Sequence, residues 1–167
     1  MAELTQNERL QPSLLDRLTD NDPEKKRESR DKRVLSLQKL REAVRRDLTW
    51  LLNCGNLEST DDLDDYPEVG KSVINFGVPD LAGSTVSTIN RNEVERMLRS
   101  AVLAFEPRIL PETLKVKLDR DHEEMNRNAV VFLIEGELWA QPVPLQMFLK
   151  TALDLETGAI DVSDTNG

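Results

Sequence analysis

The chain has 167 residues and a mass of 19.0 kDa, which is the size of one ordinary domain. Its 22 Lys and Arg against 31 Asp and Glu give a net charge of -9, so nucleic acid is not an expected partner. Cys54 and His122 are the only residues of their types, which excludes an intramolecular disulfide and the zinc sites that need two or more such ligands. Because no apolar run approaches about 18–20 residues and no signal-peptide pattern is present, the sequence predicts a cytoplasmic protein that does not insert into a membrane.

Residues 1–33 are predicted to form an N-terminal arm with two parts. The first is a short amphipathic segment, in which Pro12 and Ser13 favour a helix start. Its leucines recur at helical spacing, at positions 10, 14, 15 and 18. The second part is residues 24–33, which are almost all charged, as in a solvated linker. The folded domain is expected over residues 34–167.

A long amphipathic helix is predicted from Val34 to Asn53. Apolar residues recur at steps of three and four along this segment, and Gly55 favours a helix end just before it. Residues 58–68 carry six carboxylates and no Lys or Arg, which predicts an exposed loop that like-charge repulsion keeps extended. Residues 71–89 contain two Gly and one Pro and are expected to form an ordered loop with little regular structure.

A second long helix is predicted over residues 90–105. Asn90 with Glu93 resembles a capping box, with Asn in place of Ser or Thr, and apolar residues follow at helical spacing. Pro107 is expected to end the helix, because it pushes Glu106 out of the α region.

Beyond residue 113 the apolar pattern changes to a period of two, which indicates strands. The predicted strands are Leu114–Leu118, Ala129–Ile134, Leu145–Leu155 and Ala159–Val162. The second of them is apolar at every position, which predicts burial on both faces, and Glu135-Gly136 is expected to turn the chain after it. Helices followed by strands predict an α+β fold, in which two main helices pack on a three- to four-stranded antiparallel sheet.

Patterns associated with nucleotide binding and catalysis are incomplete in this sequence. The Gly-Lys-Ser at residues 70–72 lacks the glycine that a phosphate-binding loop carries five residues earlier. His122 lies in a charged loop, and the chain has no G-x-S-x-G nucleophile motif. Glycoside hydrolysis needs two carboxylates, and Glu106 with Asp119 or Asp121 is the strongest candidate pair for an enzyme. Nothing in the sequence indicates the apolar pocket that the general acid requires.

Two opposite charges lie where the second helix ends, in the segment Phe105–Ile109. One interpretation is a helix stop in which Glu106 and Arg108 form a local salt bridge, worth about 0–1 kcal/mol if it is exposed. The other is a binding motif, because Pro107 fixes the relative direction of the two side chains and lowers the cost of ordering them on a partner. The residues alone leave both interpretations open.

Four segments occur together in this chain: LQPSLLDRLTD at 10–20, RRDLTWLLN at 45–53, SVINFGVPDLAG at 72–83 and FEPRI at 105–109. In this order, and ahead of a tail of strands, they resemble the TssE family, the baseplate wedge subunits of the bacterial type VI secretion system. That family is in turn similar to the small wedge protein of contractile phage baseplates. The resemblance spans roughly residues 10–162.

The resemblance implies a non-catalytic structural subunit without a cofactor, in a cytoplasmic baseplate docked at the inner membrane. In the family the Glu-Pro-Arg motif contacts the helical core bundle of the wedge proteins TssF and TssG, with TssK nearby. The N-terminal arm can dock either on a partner or back on the sheet, because a charged linker permits both. The candidate partner-binding residues are therefore Glu106, Pro107, Arg108, Leu14, Leu15 and Leu18.

The resemblance also implies a contact between the sheet and the sheath proteins TssB and TssC, which helps to start sheath assembly. An open sheet has an edge with unpaired backbone groups, and an added strand can satisfy them. The candidate edges are Leu145–Leu155 and Ala159–Val162. The alternative function is that of a peptidoglycan hydrolase, because members of the family have been labelled lysozyme-like.

Overall fold

The fold is a four-stranded antiparallel sheet with two long helices packed on one face, and the predicted α+β fold is confirmed. The computed structural model describes residues 13–19, 23–24, 36–81, 90–119, 129–140 and 144–165. The strands lie in sequence order: β1 (Lys115–Leu118), β2 (Ala129–Leu138), β3 (Leu145–Asp154) and β4 (Ile160–Asp164). The helices are α1 (Leu14–Leu18), α2 (Leu37–Leu52), α3 (Pro67–Gly70) and α4 (Arg91–Phe105), and 3-10 turns lie at Leu57–Ser59 and Val73–Asn75. None of these described helices is long and apolar enough to cross a membrane.

Helix α2 forms because it has both a cap and an apolar stripe. Ser36 precedes it, and the Ser36 hydroxyl accepts a hydrogen bond from the Lys39 N–H at 3.2 Å. The stripe, which includes Val44 and Leu48, is buried in the core between α4 and the sheet. The described helix begins at Leu37, which is exposed rather than buried, and Val34 lies outside the described residues.

Helix α4 begins after Asn90, but the predicted capping box is wrong. The Asn90 side chain makes no capping hydrogen bond, and the Glu93 N–H donates instead to the Asn90 backbone carbonyl at 2.9 Å. Burial of the apolar face in the same core as α2 stabilises the helix without that cap. The helix ends two residues before Pro107, as predicted.

Strand β2 is longer than the sequence indicated. Instead of turning at Glu135-Gly136, it continues to Leu138, and Gly136 pairs with Met147 of β3. A Cβ atom at position 136 would lie 3.0 Å from Ile109 Cγ2, so the glycine lets the segment before β1 pass close to the strand. The predicted turn is wrong because this glycine serves close packing rather than chain reversal.

The two faces of the sheet differ in burial. Alternate residues of β2 and β3 point toward α2 and α4 and are fully buried, among them Phe132 and Leu149. On the opposite face Val131 is buried, but Ala129 and Leu133 are only half-buried. The prediction that all of residues 129–134 are covered on both faces is therefore wrong, because both long helices pack on the same face.

Strands β1 and β4 are the edges of the sheet, and β3 is interior. β3 pairs with β2 along its whole length and with β4 over Leu149–Leu153. The candidate edge Leu145–Leu155 is therefore wrong, because the last strand of the chain folds back onto it. The other candidate, which the structure places at Ile160–Asp164, is an edge strand.

The acidic loop at residues 58–68 is exposed, as predicted, but it is not extended. Buried Asn75 holds it in place, because the Glu58 N–H donates to Asn75 Oδ1 and Asn75 Nδ2 donates to the Gly70 carbonyl, each at 2.9 Å. The carboxylates point into solvent, which screens their repulsion. The loop can therefore form α3 and a 3-10 turn.

Candidate interaction surface

The segment 106–108 is fixed by backbone hydrogen bonds to the end of β2. The Trp139 N–H donates to the Arg108 carbonyl at 2.7 Å, and the Leu110 N–H donates to the Glu137 carbonyl at 2.8 Å. These bonds determine where the two charged side chains of the Glu-Pro-Arg segment project.

Glu106 and Arg108 form a bidentate ion pair. Arg108 Nε lies 2.6 Å from Glu106 Oε1, Arg108 Nη2 lies 2.5 Å from Oε2, and the Arg108 backbone N–H also donates to Oε1 at 3.1 Å. The Glu106 side chain is 4% exposed and that of Arg108 is 24% exposed. Burial alone would lower the pKa of Arg108, but the hydrogen bonds and charges of Glu106 and Asp47 outweigh it and raise that pKa. The salt-bridge interpretation is confirmed, and the binding interpretation remains a prediction.

A series of alternating charges continues from Arg108 to helix α1. Arg108 Nη2 lies 2.6 Å from Asp47 Oδ2, Arg46 Nε donates to Asp47 Oδ1 at 2.9 Å, and Arg46 Nη1 lies 2.6 Å from Asp16 Oδ1. Three carboxylates and two guanidinium groups leave one net negative charge. We call this set the ion-pair network: Glu106, Arg108, Asp47, Arg46 and Asp16.

The outer end of the ion-pair network is charged at neutral pH. Burial raises the pKa of Asp16, but hydrogen bonds from Arg46 and Ser13 and the charge of Arg46 outweigh it, so the Asp16 pKa lies below its usual value. The hydrogen bond to Asp16 raises the pKa of Arg46. The Arg46 guanidinium also lies over the ring of Trp50, 5.2 Å from its centroid.

The four sequence segments that carry the family resemblance meet around this network. Asp16 lies in the first segment, and Arg46 and Asp47 lie in the second. The third and fourth are joined by Phe76 and Phe105, whose rings pack edge to face with centroids 5.3 Å apart. The segments are therefore parts of one contiguous region.

Helix α1 lies against α2 through the Asp16–Arg46 pair, whereas the sequence left its docking open between a partner and the sheet. Its leucines point elsewhere: Leu14 is 70% and Leu18 is 74% exposed, and Leu15 is also exposed. The apolar ridge that the sequence predicts thus exists, but no core residue covers it.

Sequence reasoning missed Arg46 and Asp47 as members of the candidate site. Asp47 is 61 positions from Arg108, and Arg46 is 30 positions from Asp16. Contacts over such separations leave no local pattern. The one available signal was that both residues lie in the RRDLTWLLN segment.

The outer edge of β4 is partly occupied by side chains of α2 and of the residue that follows it. The Ile160 N–H donates to Asn53 Oδ1 at 2.9 Å, and Asn53 Nδ2 donates to the Ile160 carbonyl at 2.7 Å. Arg45 Nη1 donates to the Val162 carbonyl at 3.3 Å. The Asn53 amide thus pairs with the edge as a neighbouring strand would.

The outer edge of β1 is occupied in a similar way by α4. The Leu118 N–H donates to Glu95 Oε1 at 2.7 Å, and Arg99 Nε lies 3.4 Å from the Leu114 carbonyl oxygen. Helix side chains thus protect both edges against uncontrolled strand pairing.

Glu106, the carboxylate that both candidate hydrolase pairs share, is bound as an ion-pair partner. Glu106 bonds a guanidinium through both oxygens, and neither of two open grooves, of about 350 and about 490 Å³, is lined by Glu106 or Asp119. Asp121 and His122 lie outside the described residues. Within the described ranges, no group of three or more His, Cys, Asp or Glu side chains is placed to hold a metal ion.

The sequence matches one family of known proteins. A family model described as "Baseplate wedge protein gp25" matches residues 38–143, more than half of the chain. No curated protein matches this chain. Among solved structures, the chain is similar to a protein from Geobacter sulfurreducens named as a candidate tail lysozyme, with 18% identity and a TM-score of 0.45. That similarity covers 70% of this chain and 92% of the other.

Proposed function

The chain belongs to the baseplate wedge protein gp25 family, and from this premise we propose that it is a non-catalytic wedge subunit of a type VI secretion baseplate. Its function is then a set of contacts. The Glu-Pro-Arg segment binds the wedge proteins TssF and TssG, with TssK nearby, and the sheet edge binds the sheath proteins TssB and TssC. This places the protein in a cytoplasmic baseplate docked at the inner membrane, where it helps to start sheath assembly.

The observation that supports this proposal most strongly is that the Arg108 guanidinium is held in one orientation but is not fully buried. Asp47 and Glu106 fix its guanidinium from two sides, yet about a quarter of the side chain is exposed. Among the described residues, Nη1 of Arg108 makes no hydrogen bond, while Nε and Nη2 are both used. A guanidinium already held in one orientation loses little entropy when its remaining donors meet a partner.

Co-purification with a TssF–TssG complex tests the proposal. We expect Arg108→Ala to lose the complex, because truncating one side of a desolvated charged pair costs about 2–5 kcal/mol of binding. Arg96→Ala is the matched control, since Arg96 is an exposed arginine on α4. Circular dichroism checks the fold of each variant, and Arg108→Lys, which keeps the charge but not the planar fork, serves if the alanine variant unfolds. Full retention of the complex by both variants would overturn the proposal.

We assign the sheath contact to the outer edge of β4. The Val162 N–H lies on the same side of the strand as the Val162 carbonyl, facing away from β3. An added strand would protect this amide from hydrogen exchange, so we expect slower exchange at Val162 when TssB and TssC are added. The control is the N–H of Val116, which faces away from β2 at the outer edge of β1, while the Val116 side chain is buried. Protection at Val116 alone, or at neither residue, would contradict the assignment.

The non-catalytic role is supported by the way Glu106 is bound. A glycosidase acid is held in apolar surroundings that keep it protonated, whereas Glu106 is an ion-pair partner of Arg108. We expect the purified chain to release no soluble fragments from peptidoglycan. Turnover that Glu106→Gln abolishes would contradict this and would favour the hydrolase.

A further inference from the structure

Side chains from one face of α2 and its C-terminal end lie along the outer edge of β4. Arg41 and Arg45 are four residues apart and Asn53 follows eight residues later, so all three lie on the same side of the helix. As the helix runs forward, their contacts run backward along the strand. These contacts are Arg41 with Asp164, Arg45 with Val162 and Asn53 with Ile160. Helix α2 thus runs beside this edge, antiparallel to β4.

An open groove of about 490 Å³ separates the first half of α2 from the end of β4. At Ile160 the gap is narrow, because the short Asn53 side chain bonds both backbone groups of that residue. At Val162 the gap is wider, and the long Arg45 side chain crosses it with one hydrogen bond of 3.3 Å. The groove lies at this wider end, where Arg45 and Asp164 line it. Its volume is that of a typical ligand site.

The two arginines of this groove retain unused hydrogen-bonding capacity. Arg41 Nε is buried and makes no hydrogen bond to any described residue. Of the carboxylates that line the groove, Glu42 accepts a hydrogen bond from Gln38 at 3.0 Å, and Asp164 lies 4.0 Å from Arg41. Among the described residues, no carboxylate pairs with Arg45. Arg45 is therefore the cation of the groove that a ligand carboxylate can neutralise.

Two leucines give the same groove an apolar part. Leu37 at the start of α2 is 47% exposed, and Leu145 at the start of β3 is half-buried. Both line the groove together with the arginines. A few polar groups among apolar ones are typical of a site that recognises a specific ligand.

We propose that the groove receives an extended segment of the sheath proteins that carries a carboxylate, and that Arg45 recognises this carboxylate. The inference rests on the proposed function, because it takes the outer edge of β4 as the sheath contact. It adds the chemistry of the segment. The backbone of the segment pairs with Val162, an acidic side chain pairs with Arg45, and an apolar side chain covers the two leucines.

Strand addition requires Arg45 to change partners. The Val162 N–H and carbonyl both face away from β3, so an added strand bonds both groups. The incoming N–H replaces Arg45 at the Val162 carbonyl, and the guanidinium loses that hydrogen bond. A carboxylate on the same segment restores the lost bond in a stronger, charge-assisted form, whereas an apolar side chain does not. Arg45 therefore favours acidic segments over neutral ones.

Binding of the full chain to a TssB–TssC complex, measured by titration calorimetry, tests this recognition. We expect Arg45→Gln to weaken binding about threefold or more, because glutamine can still donate to the Val162 carbonyl but cannot pair with a carboxylate as an ion. Arg45→Glu should weaken binding about tenfold or more, because it places like charges together. Arg96→Glu is the matched control, since it changes the net charge equally at an exposed position on α4. Circular dichroism checks the fold of each variant.

Hydrogen exchange at Val162 separates this inference from the proposed function. If both Arg45 variants bind like the wild type and the complex still protects Val162, the acidic segment is refuted and the sheath contact stands. Equal weakening by Arg45→Glu and Arg96→Glu would also refute it, because only the net charge would then matter. If the complex does not protect Val162 in the wild type, the sheath contact itself fails.

Discussion

Replacing Glu106 by Gln is expected to destabilise the fold as well as the candidate motif. The Glu106 carboxylate is almost fully buried and accepts three hydrogen bonds, all of them from Arg108. Glutamine keeps the shape, but it removes the charge and places an N–H donor opposite Arg108 Nη2. Breaking a buried pair costs about 3–5 kcal/mol. Because Arg108 keeps Asp47 and is partly solvated, we expect a loss of about 2–3 kcal/mol in the free energy of unfolding.

Urea and thermal denaturation followed by circular dichroism measure this loss. For a domain of this size, about 2–3 kcal/mol lowers Tm by roughly 4–12 °C. Glu112→Gln is the matched control, because Glu112 is exposed and a surface substitution changes stability by about 0.5 kcal/mol or less. A Glu106→Gln variant that is as stable as the control would refute the reasoning that the pair supports the fold.

Three further predictions concern the arm, an edge strand and a tight loop. Folding lowers the pKa of Asp16, so the Asp16–Arg46 pair is fully stabilising above the ordinary carboxyl pKa and is lost as pH falls through the lower pKa of the folded state. The NMR shifts of the Arg46 side chain should therefore stay constant from about pH 8 to 5 and change only below about pH 4. A change in these shifts near neutral pH would contradict this. Asn53→Ala removes both hydrogen bonds to the β4 edge, so hydrogen exchange at the Ile160 amide should accelerate and the free energy of unfolding should fall by about 1–3 kcal/mol. Unchanged exchange at Ile160 would refute the capping role. Gly77→Ala should lower the free energy of unfolding, measured by urea denaturation, by at least about 2 kcal/mol, because φ at Gly77 is 129° and a Cβ there would overlap the Cys54 carbonyl. An unchanged free energy of unfolding would contradict that geometry.

The sequence predicted the elements whose burial follows a regular period. Helix α2 and helix α4 appeared in three- and four-residue spacing because one stripe of each meets the core. Strands β1 and β3 appeared in two-residue alternation because only one face of the sheet is covered by the long helices. The end of β2 was missed because Gly136 fits a turn as well as a close approach of Ile109, and composition does not separate the two.

The candidate site was predictable only in part. Glu106 and Arg108 are neighbours in sequence, so their pairing was one of two interpretations before the structure. The participation of Asp47 and Asp16 depends on how α4, α2 and α1 pack, and charge pairing across packed elements has no sequence period. The edge-capping role of Asn53 was hidden for the same reason, since Ile160 is 107 positions away.

The most direct test of the account is the affinity of a TssF–TssG complex for the wild type and for Arg108→Lys, measured together with the stability of each chain. Lysine keeps the positive charge beside Asp47 but loses the planar fork that pairs with Glu106 and leaves a donor for the partner. The account predicts about tenfold weaker binding or more, at a temperature where both chains are fully folded. Equal affinity of the two folded chains would contradict the claim that the Glu-Pro-Arg segment is a contact of this wedge subunit.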